Sequence, residues 1–329
     1  MKIAGYLLFT AGVLALIALV GYYGATEIGT AVLHVGWGLV VVSAFHLIPM
    51  AADTLAWKVL INDRRPVKFL DLLWIRWIRE SVSTLLPVSQ VGGDLVRLRL
   101  AIQRGIKGSI AGASIVVDLT ISLFALVVFC LVGAALLLKR GVTDNAFVIL
   151  SLAVVVSFAI VIAFYALQRF GLFNTLLRML MRMMQAQNWT QLTGGAAALD
   201  AAIHCTYERR RDVLVSSVWA FIGWLLGAGE VWLALYFLGA SVSFAEALIV
   251  ESLIQGIRNA AFVVPSAVGV QEGGLVLLGA MIGLSPDIAI ALSLVKRVRE
   301  LALGVPGLLS WHFSESRRLL QKANGNTIK

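Results

Sequence analysis

The chain has 329 residues, 60% of them apolar and only 14% charged, with a mean hydropathy of +0.90. Soluble domains are about 45–50% apolar and about 25% charged, so this excess excludes one or two water-soluble cores and marks an integral membrane protein, 1–329 forming a single membrane domain. The net charge of +9 then reports topology before anything else and implies no nucleic acid partner.

Residues 3–23 follow Lys2 in an apolar run that is long for a signal peptide and has no clear A-x-A site after it, so they read as an uncleaved first span. Further runs of spanning length lie at 37–60, 109–138, 146–168, 213–238 and 288–313, giving six crossings. Two other apolar stretches, 70–96 and 246–283, are each interrupted by Pro and Gly, in LLPVSQVGGD from Leu85 to Asp94 and in VVPSAVGVQEGG from Val263 to Gly274. Residues so placed break a helix. In loop 169–212, Leu172 to Met184 carries Arg178 and Arg182 four apart, an amphipathic helix suited to the cytoplasmic interface. The same loop ends in Arg209-Arg210-Arg211, a lipid-headgroup anchor before the next span.

Lys and Arg decide what the broken stretches do. Loops 58–69 and 97–107 carry four each, so both ends of the first stretch are cytoplasmic and it dips in and returns. The second is flanked by 239–245 and 284–287, which carry none, so it dips in from the opposite face. Counting Lys2, loop 169–212 and the tail after Ser314, nineteen basic residues face the cytoplasm against two outside, Lys139 and Arg140. Both termini are then cytoplasmic.

The broken stretches are in register. Pro87 and Pro265 differ by 178 positions, and the same offset carries Asp94 onto Glu272 and the spans starting at 37 and 109 onto 215 and 287. The fold class expected is an all-α polytopic membrane protein: six full transmembrane helices plus two re-entrant broken-helix hairpins, arranged as inverted repeats over 37–138 and 213–313. That architecture is typical of transporters working around a site near the midplane.

Arg76, Arg79, Glu80, Asp118, Glu230, Glu251, Arg258, Lys296, Arg297, Arg299 and Glu300 all fall inside apolar stretches. At about 2.5–3.5 kcal/mol for a mid-helix charge on insertion scales, they must face a protein interior or a watery cavity. Under the 178 offset Glu80 maps onto Arg258 and Asp118 onto Lys296, opposite signs that neutralise each other if the pseudo-twofold brings them together. Two readings stay open: buried structural ion pairs, or cations for which a substrate headgroup competes. Asp94 and Glu272 sit where each hairpin resumes as helix and read as caps. Gly92, Gly93, Gly269, Gly273 and Gly274 either unwind the backbone so that N–H groups meet an anion or allow close helix packing, as at Gly223 and Gly227. Arg97 and Arg99 suit phosphate contacts or a solvated cytoplasmic face.

Cys130 and Cys205 lie in unlike environments and do not pair, and His34, His46, His204 and His312 are scattered, forming no ligand set. No C-x-x-C, H-E-x-x-H, G-x-S-x-G, P-loop or G-x-G-x-x-G pattern occurs, so no metal, cofactor or nucleotide chemistry is indicated.

The blocks Arg76 to Ser81 (RWIRES), Leu85 to Asp94, Ala113 to Leu119 (ASIVVDL), Cys205 to Val213 (CTYERRRDV) and Val264 to Glu272 (VPSAVGVQE) resemble the flippase-like superfamily typified by the transmembrane region of lysylphosphatidylglycerol synthases. Within it the closest resemblance is to hopanoid-biosynthesis-associated membrane proteins. This resemblance implies a lipid-handling protein of the bacterial inner membrane. The superfamily's aminoacyl-lipid synthases carry an added soluble transferase domain for which this chain has no room, so the expectation is a flippase and not an enzyme, moving a hopanoid or an anionic lipid. The expected gate is Arg76, Arg79, Glu80, Asp118, Arg258, Lys296, Arg297 and Arg299, with Asp94 and Glu272 holding the half-helices. The rivals are an intramembrane lipid-modifying enzyme, using Glu80, Asp118 or Glu272 as acid or base, and a scaffold for lipid-biosynthesis proteins.

Overall fold

The computed structural model describes residues 35–63, 67–86, 89–140, 162, 166, 196–260, 267 and 269–325, among which the chain is helical and no strand occurs. The spans expected at 3–23 and most of 146–168, the amphipathic segment 172–184, Pro87 and Pro265 lie outside the described residues.

The first described span is two helices, α1 (Gly38–Phe45) and α2 (Leu47–Leu60). Pro49 has no N–H to offer the Phe45 carbonyl four residues back, and the helix is interrupted between them, at His46. Together the two are 23 residues long and apolar enough to cross a bilayer, as are α5 (Gly108–Leu138) and α7 (Arg210–Phe237). Between α2 and α5 the chain forms α3 (Phe69–Leu85) and α4 (Ser89–Gln103), packed on each other. Leu86 is extended, with φ −101° and ψ 141°, the conformation imposed on a residue preceding proline.

After α6 (Ala196–Glu208), the order long helix, broken pair, long helix recurs in α7, α8 (Phe244–Ala260), α9 (Val270–Met281) and α10 (Pro286–Gly325). The ends of α4 and α9, Gln103 and Met281, are 178 residues apart, and so are the starts of α5 and α10, Gly108 and Pro286. Packing follows the same exchange: α2 lies along α7, while α5 packs on α8 as α10 packs on α3. Indole donors fix the last contact, Trp77 Nε1 to the Leu303 carbonyl at 2.8 Å and Trp74 Nε1 to Ser310 Oγ at 2.8 Å.

Loop 169–212 is not a loop throughout. Its described part includes α6, whose Leu199 and Ile203 are buried against α5 with Ala113, Val116 and Val117. Helix α10 contains the expected span 288–313 and carries Lys296, Arg297, Arg299 and Glu300; burial of Lys296, Arg299 and Glu300 inside the bundle lets so charged a helix sit among apolar ones.

Candidate functional site

The broken pairs and long helices converge on a central cavity of about 300 Å³. It is lined from α2 by Asp53, from α3 by Arg76, Arg79 and Glu80, from α5 by Asp118, from α7 by Glu230, from α8 by Glu251 and Arg258, and from α10 by Lys296, Arg299 and Glu300. Each charge there has a partner. Asp118 accepts from Arg97 Nη2 at 2.8 Å and from Arg76 Nη1 at 3.1 Å, and Arg76 Nη2 reaches Asp53 at 2.8 Å. Lys296 Nζ donates to Glu251 at 2.6 Å, and Glu251 also accepts from Gln255 at 2.7 Å. Glu300 collects Arg258 at 3.3 Å and Arg297 at 3.1 Å.

The expected pairs across the offset are therefore not the pairs that form. Asp118 is matched by Arg76 and Arg97, and Lys296 by Glu251; Glu80 is matched by His46, and Arg258 by Glu300. The reason is one of reach. A side chain on each long helix meets the broken pair of its own set before it meets its equivalent across the cavity, and low dielectric favours the shortest N–O approach.

The two hairpin acids divide. Glu272 is a cap as expected: its Oε2 accepts the Gly269 N–H at 2.6 Å, and Gly269 itself, at φ +82°, holds a conformation that glycine adopts freely. Its other oxygen is held by Ser293 at 2.8 Å and by Arg297 at 3.3 Å. Asp94 is no cap, because α4 starts at Ser89 and places it more than a turn inside the helix, where Arg79 binds both its oxygens at 3.1 and 3.2 Å. Gly92 and Gly93 are likewise helical. A Cβ on Gly93 would stand 2.6 Å from the Arg79 carbonyl oxygen, so this glycine permits the close approach of α4 to α3. Gly273 has open space where a Cβ would point.

Arg97 also departs from expectation. Read as a phosphate contact or as part of a solvated cytoplasmic face, it is 1% exposed, bonded to Asp118 and stacked 3.9 Å over the Trp57 ring. Arg99, two residues on, is exposed and pairs with Glu315.

His46 and Asp53 are the residues that sequence reasoning missed. His46 lies between two carboxylates, Nε2 2.7 Å from Glu80 and Nδ1 2.6 Å from Glu230. The available signal was spacing: 46 and 53 are seven apart, two turns along one face of a span.

Among the described residues the cavity and the shell behind it hold seven cations, Arg76, Arg79, Arg97, Arg258, Lys296, Arg297 and Arg299, against eight carboxylates, Asp53, Glu80, Asp94, Asp118, Glu230, Glu251, Glu272 and Glu300. Such an arrangement can exchange one anion for another on a buried cation, at low cost in net charge. No group of three or more acidic, His or Cys side chains among the described residues is placed to hold a metal.

Comparison with curated proteins and with solved structures finds no match. The family model of the lysylphosphatidylglycerol synthase TM region matches residues 3–307, so nearly the whole helical chain is covered, and this lipid-handling membrane protein belongs to that family.

Proposed function

We propose that this protein is a flippase, which moves a lipid headgroup between leaflets through the central cavity. In this reading α3–α4 and α8–α9 are re-entrant hairpins entering from opposite faces, the two sets of helices are inverted repeats, and the protein lies in a bacterial inner membrane with both termini cytoplasmic. The observation that carries it is the cavity itself: buried cations from both sets of helices, each held by an exchangeable carboxylate, in a space of about 300 Å³. That volume is at the lower end for a ligand pocket, roughly 300–1,000 Å³, and suits a headgroup whose chains stay in lipid. Arg76, Arg258, Lys296 and Arg299 would receive it. A phosphate is the natural competitor for carboxylates on guanidinium groups, so the headgroup is anionic. The subgroup resemblance points to hopanoids, which remain the second lipid to test.

The test is reconstitution in liposomes, following how fast labelled phospholipid and labelled hopanoid become accessible to a membrane-impermeant reagent. Faster exchange with wild-type protein, lost in Lys296→Ala, supports the proposal. Well-folded protein that accelerates neither lipid removes it. Lipid species that change in kind, read by mass spectrometry of a deletion strain, would instead favour an enzyme.

A further inference from the structure

His46 occupies the interruption that Pro49 makes in the first span, and it joins groups from three other helices. From α3, Glu80 Oε1 lies 2.7 Å from Nε2; from α7, Glu230 Oε2 lies 2.6 Å from Nδ1. From α10, Arg299 Nη1 stands 2.5 Å from the same Nδ1 and 3.1 Å from Glu230 Oε2, and Glu300 Oε1 lies 3.6 Å from Arg299 Nη2. On its own span the next charged group is Asp53, which is held by Arg76 at 2.8 Å.

An imidazole nitrogen either carries a proton or accepts one, and Nδ1 has a partner for each state. With protons on both nitrogens, the ring donates to Glu80 and to Glu230. With a proton on Nε2 alone, the ring donates to Glu80 and Nδ1 accepts from Arg299, which keeps Glu230 as well. Each state satisfies Nδ1 with one of these two neighbours and displaces the other: a bare Nδ1 repels Glu230 Oε2, and a protonated Nδ1 repels Arg299 Nη1. Among the described residues the seven cations and eight carboxylates around the cavity sum to one negative charge, which an imidazolium at His46 would cancel. Arg299 meanwhile has a spare donor: its Nε is buried with no hydrogen-bond partner.

We propose that His46 is a proton-binding site linked to the anionic headgroup, and that proton uptake on Nδ1 holds Glu230 Oε2 on the imidazolium and turns Arg299 away from Nδ1, which leaves Glu230 Oε1 at 2.9 Å as its link to that carboxylate and its other donors to the headgroup. This rests on the flippase reading above and supplies its coupling ion. A proton from water forms the Nδ1–H bond and returns to water when the headgroup leaves; nothing is oxidised or reduced. Linkage is reciprocal, so a bound headgroup must raise proton occupancy as much as the proton raises headgroup affinity.

The experiment is isothermal titration of purified wild-type protein with a short-chain phosphatidylglycerol, whose phosphodiester does not titrate here, in two buffers of different ionisation enthalpy. The series runs from about pH 5 to about pH 9, which contains the range in which an unperturbed imidazole changes charge. The expected result is an apparent enthalpy that differs between buffers, by an uptake approaching one proton per lipid at some pH in the series. His46→Gln should bind lipid with no proton uptake. Glu230→Gln is a second variant, which leaves Arg299 free in both states and so should also lose uptake. Lipid binding with equal enthalpies in both buffers at every pH overturns the proton site and leaves the headgroup reading standing. Failure of the wild type to bind lipid strikes the headgroup reading, and the linkage falls with it.

Discussion

Lys296 and Glu251 allow a structural ion pair to be told apart from a working one. Their N–O distance is 2.6 Å and the side chains are 3% and 5% exposed, so removing one partner leaves a charge with little water to solvate it. Breaking such a pair costs about 3–5 kcal/mol. Lys296→Met should fall near the lower end, about 3 kcal/mol, because Glu251 keeps the Gln255 amide at 2.7 Å. Glu251→Gln leaves the ammonium with a neutral acceptor and should cost a similar amount. The double variant removes both desolvation penalties and should cost no more than about 1 kcal/mol, against about 6 kcal/mol for the sum of the singles, so the coupling energy in a double-mutant cycle is roughly 5 kcal/mol. The assay is reversible unfolding in mixed detergent micelles, run beside lipid exchange in liposomes. If the cation receives a headgroup, the double variant is stable and transports nothing. Single variants within about 0.5 kcal/mol of wild type, or a double variant destabilised by their sum, would refute the buried-pair energetics; a stable double variant with full transport would refute the headgroup role.

Gly93→Ala places a methyl group against the Arg79 carbonyl, a backbone atom that cannot swing away, and should cost about 1–3 kcal/mol of overpacking in the same unfolding assay. Arg97→Lys keeps the charge but loses the planar stack on Trp57 and the fork aimed at Asp118 and Asp94; thermal unfolding should show it clearly less stable than wild type, as no exposed Arg-to-Lys change would be. Ser243→Ala removes the hydroxyl that receives the Glu246 N–H at 3.3 Å at the start of α8, for about 1 kcal/mol. Arg140→Ala breaks a surface pair with Glu246 across α5 and α8 and should shift stability by less than about 1 kcal/mol, falling with added salt.

Helices were legible wherever length and hydropathy settle them: α5 and α7 match the expected 109–138 and 213–238 closely, because a bilayer-length apolar run has one stable form. Breaks were legible to within a few residues, since Pro87 acts on its neighbour Leu86, yet the sequence could not say that α4 resumes at Ser89. That early start is what turns Asp94 from a cap into a partner of Arg79. Pairing was the least legible layer. The offset of 178 finds which charges are related, but an ion pair forms by reach and helix rotation, and these depend on packing that no local pattern carries. Arg97 shows the limit: beside Arg99 and near Arg104 it reads as one of a solvated run, whereas one turn of helix faces it inward to Asp118.

The pairing has an order of its own. Around the cavity, Asp53, Arg76, Asp118, Arg97, Asp94 and Arg79 form one chain of ion pairs drawn from α2 to α5. Glu272, Arg297, Glu300 and Arg258 form another, and Lys296 with Glu251 a further pair, all drawn from α8 to α10. The second set, with Glu230 and Arg299, is balanced, four cations against four carboxylates. The first set has three cations against four carboxylates once Glu80 is counted. Its unmatched charge is Glu80, and the group facing Glu80 is His46, whose other nitrogen meets Glu230 and Arg299 of the second set. A single proton on His46 therefore both neutralises the first set and ties it to the second. Any motion that parts α2 from α7 and α10 at this level must break that tie while leaving each ion-pair chain whole, so among the described residues the charged link it breaks is the titratable one. It follows that His46→Arg, a cation at every pH, cannot release the tie and should slow exchange and remove its pH dependence, whereas wild-type exchange should change with pH; identical pH profiles for the two would contradict the argument.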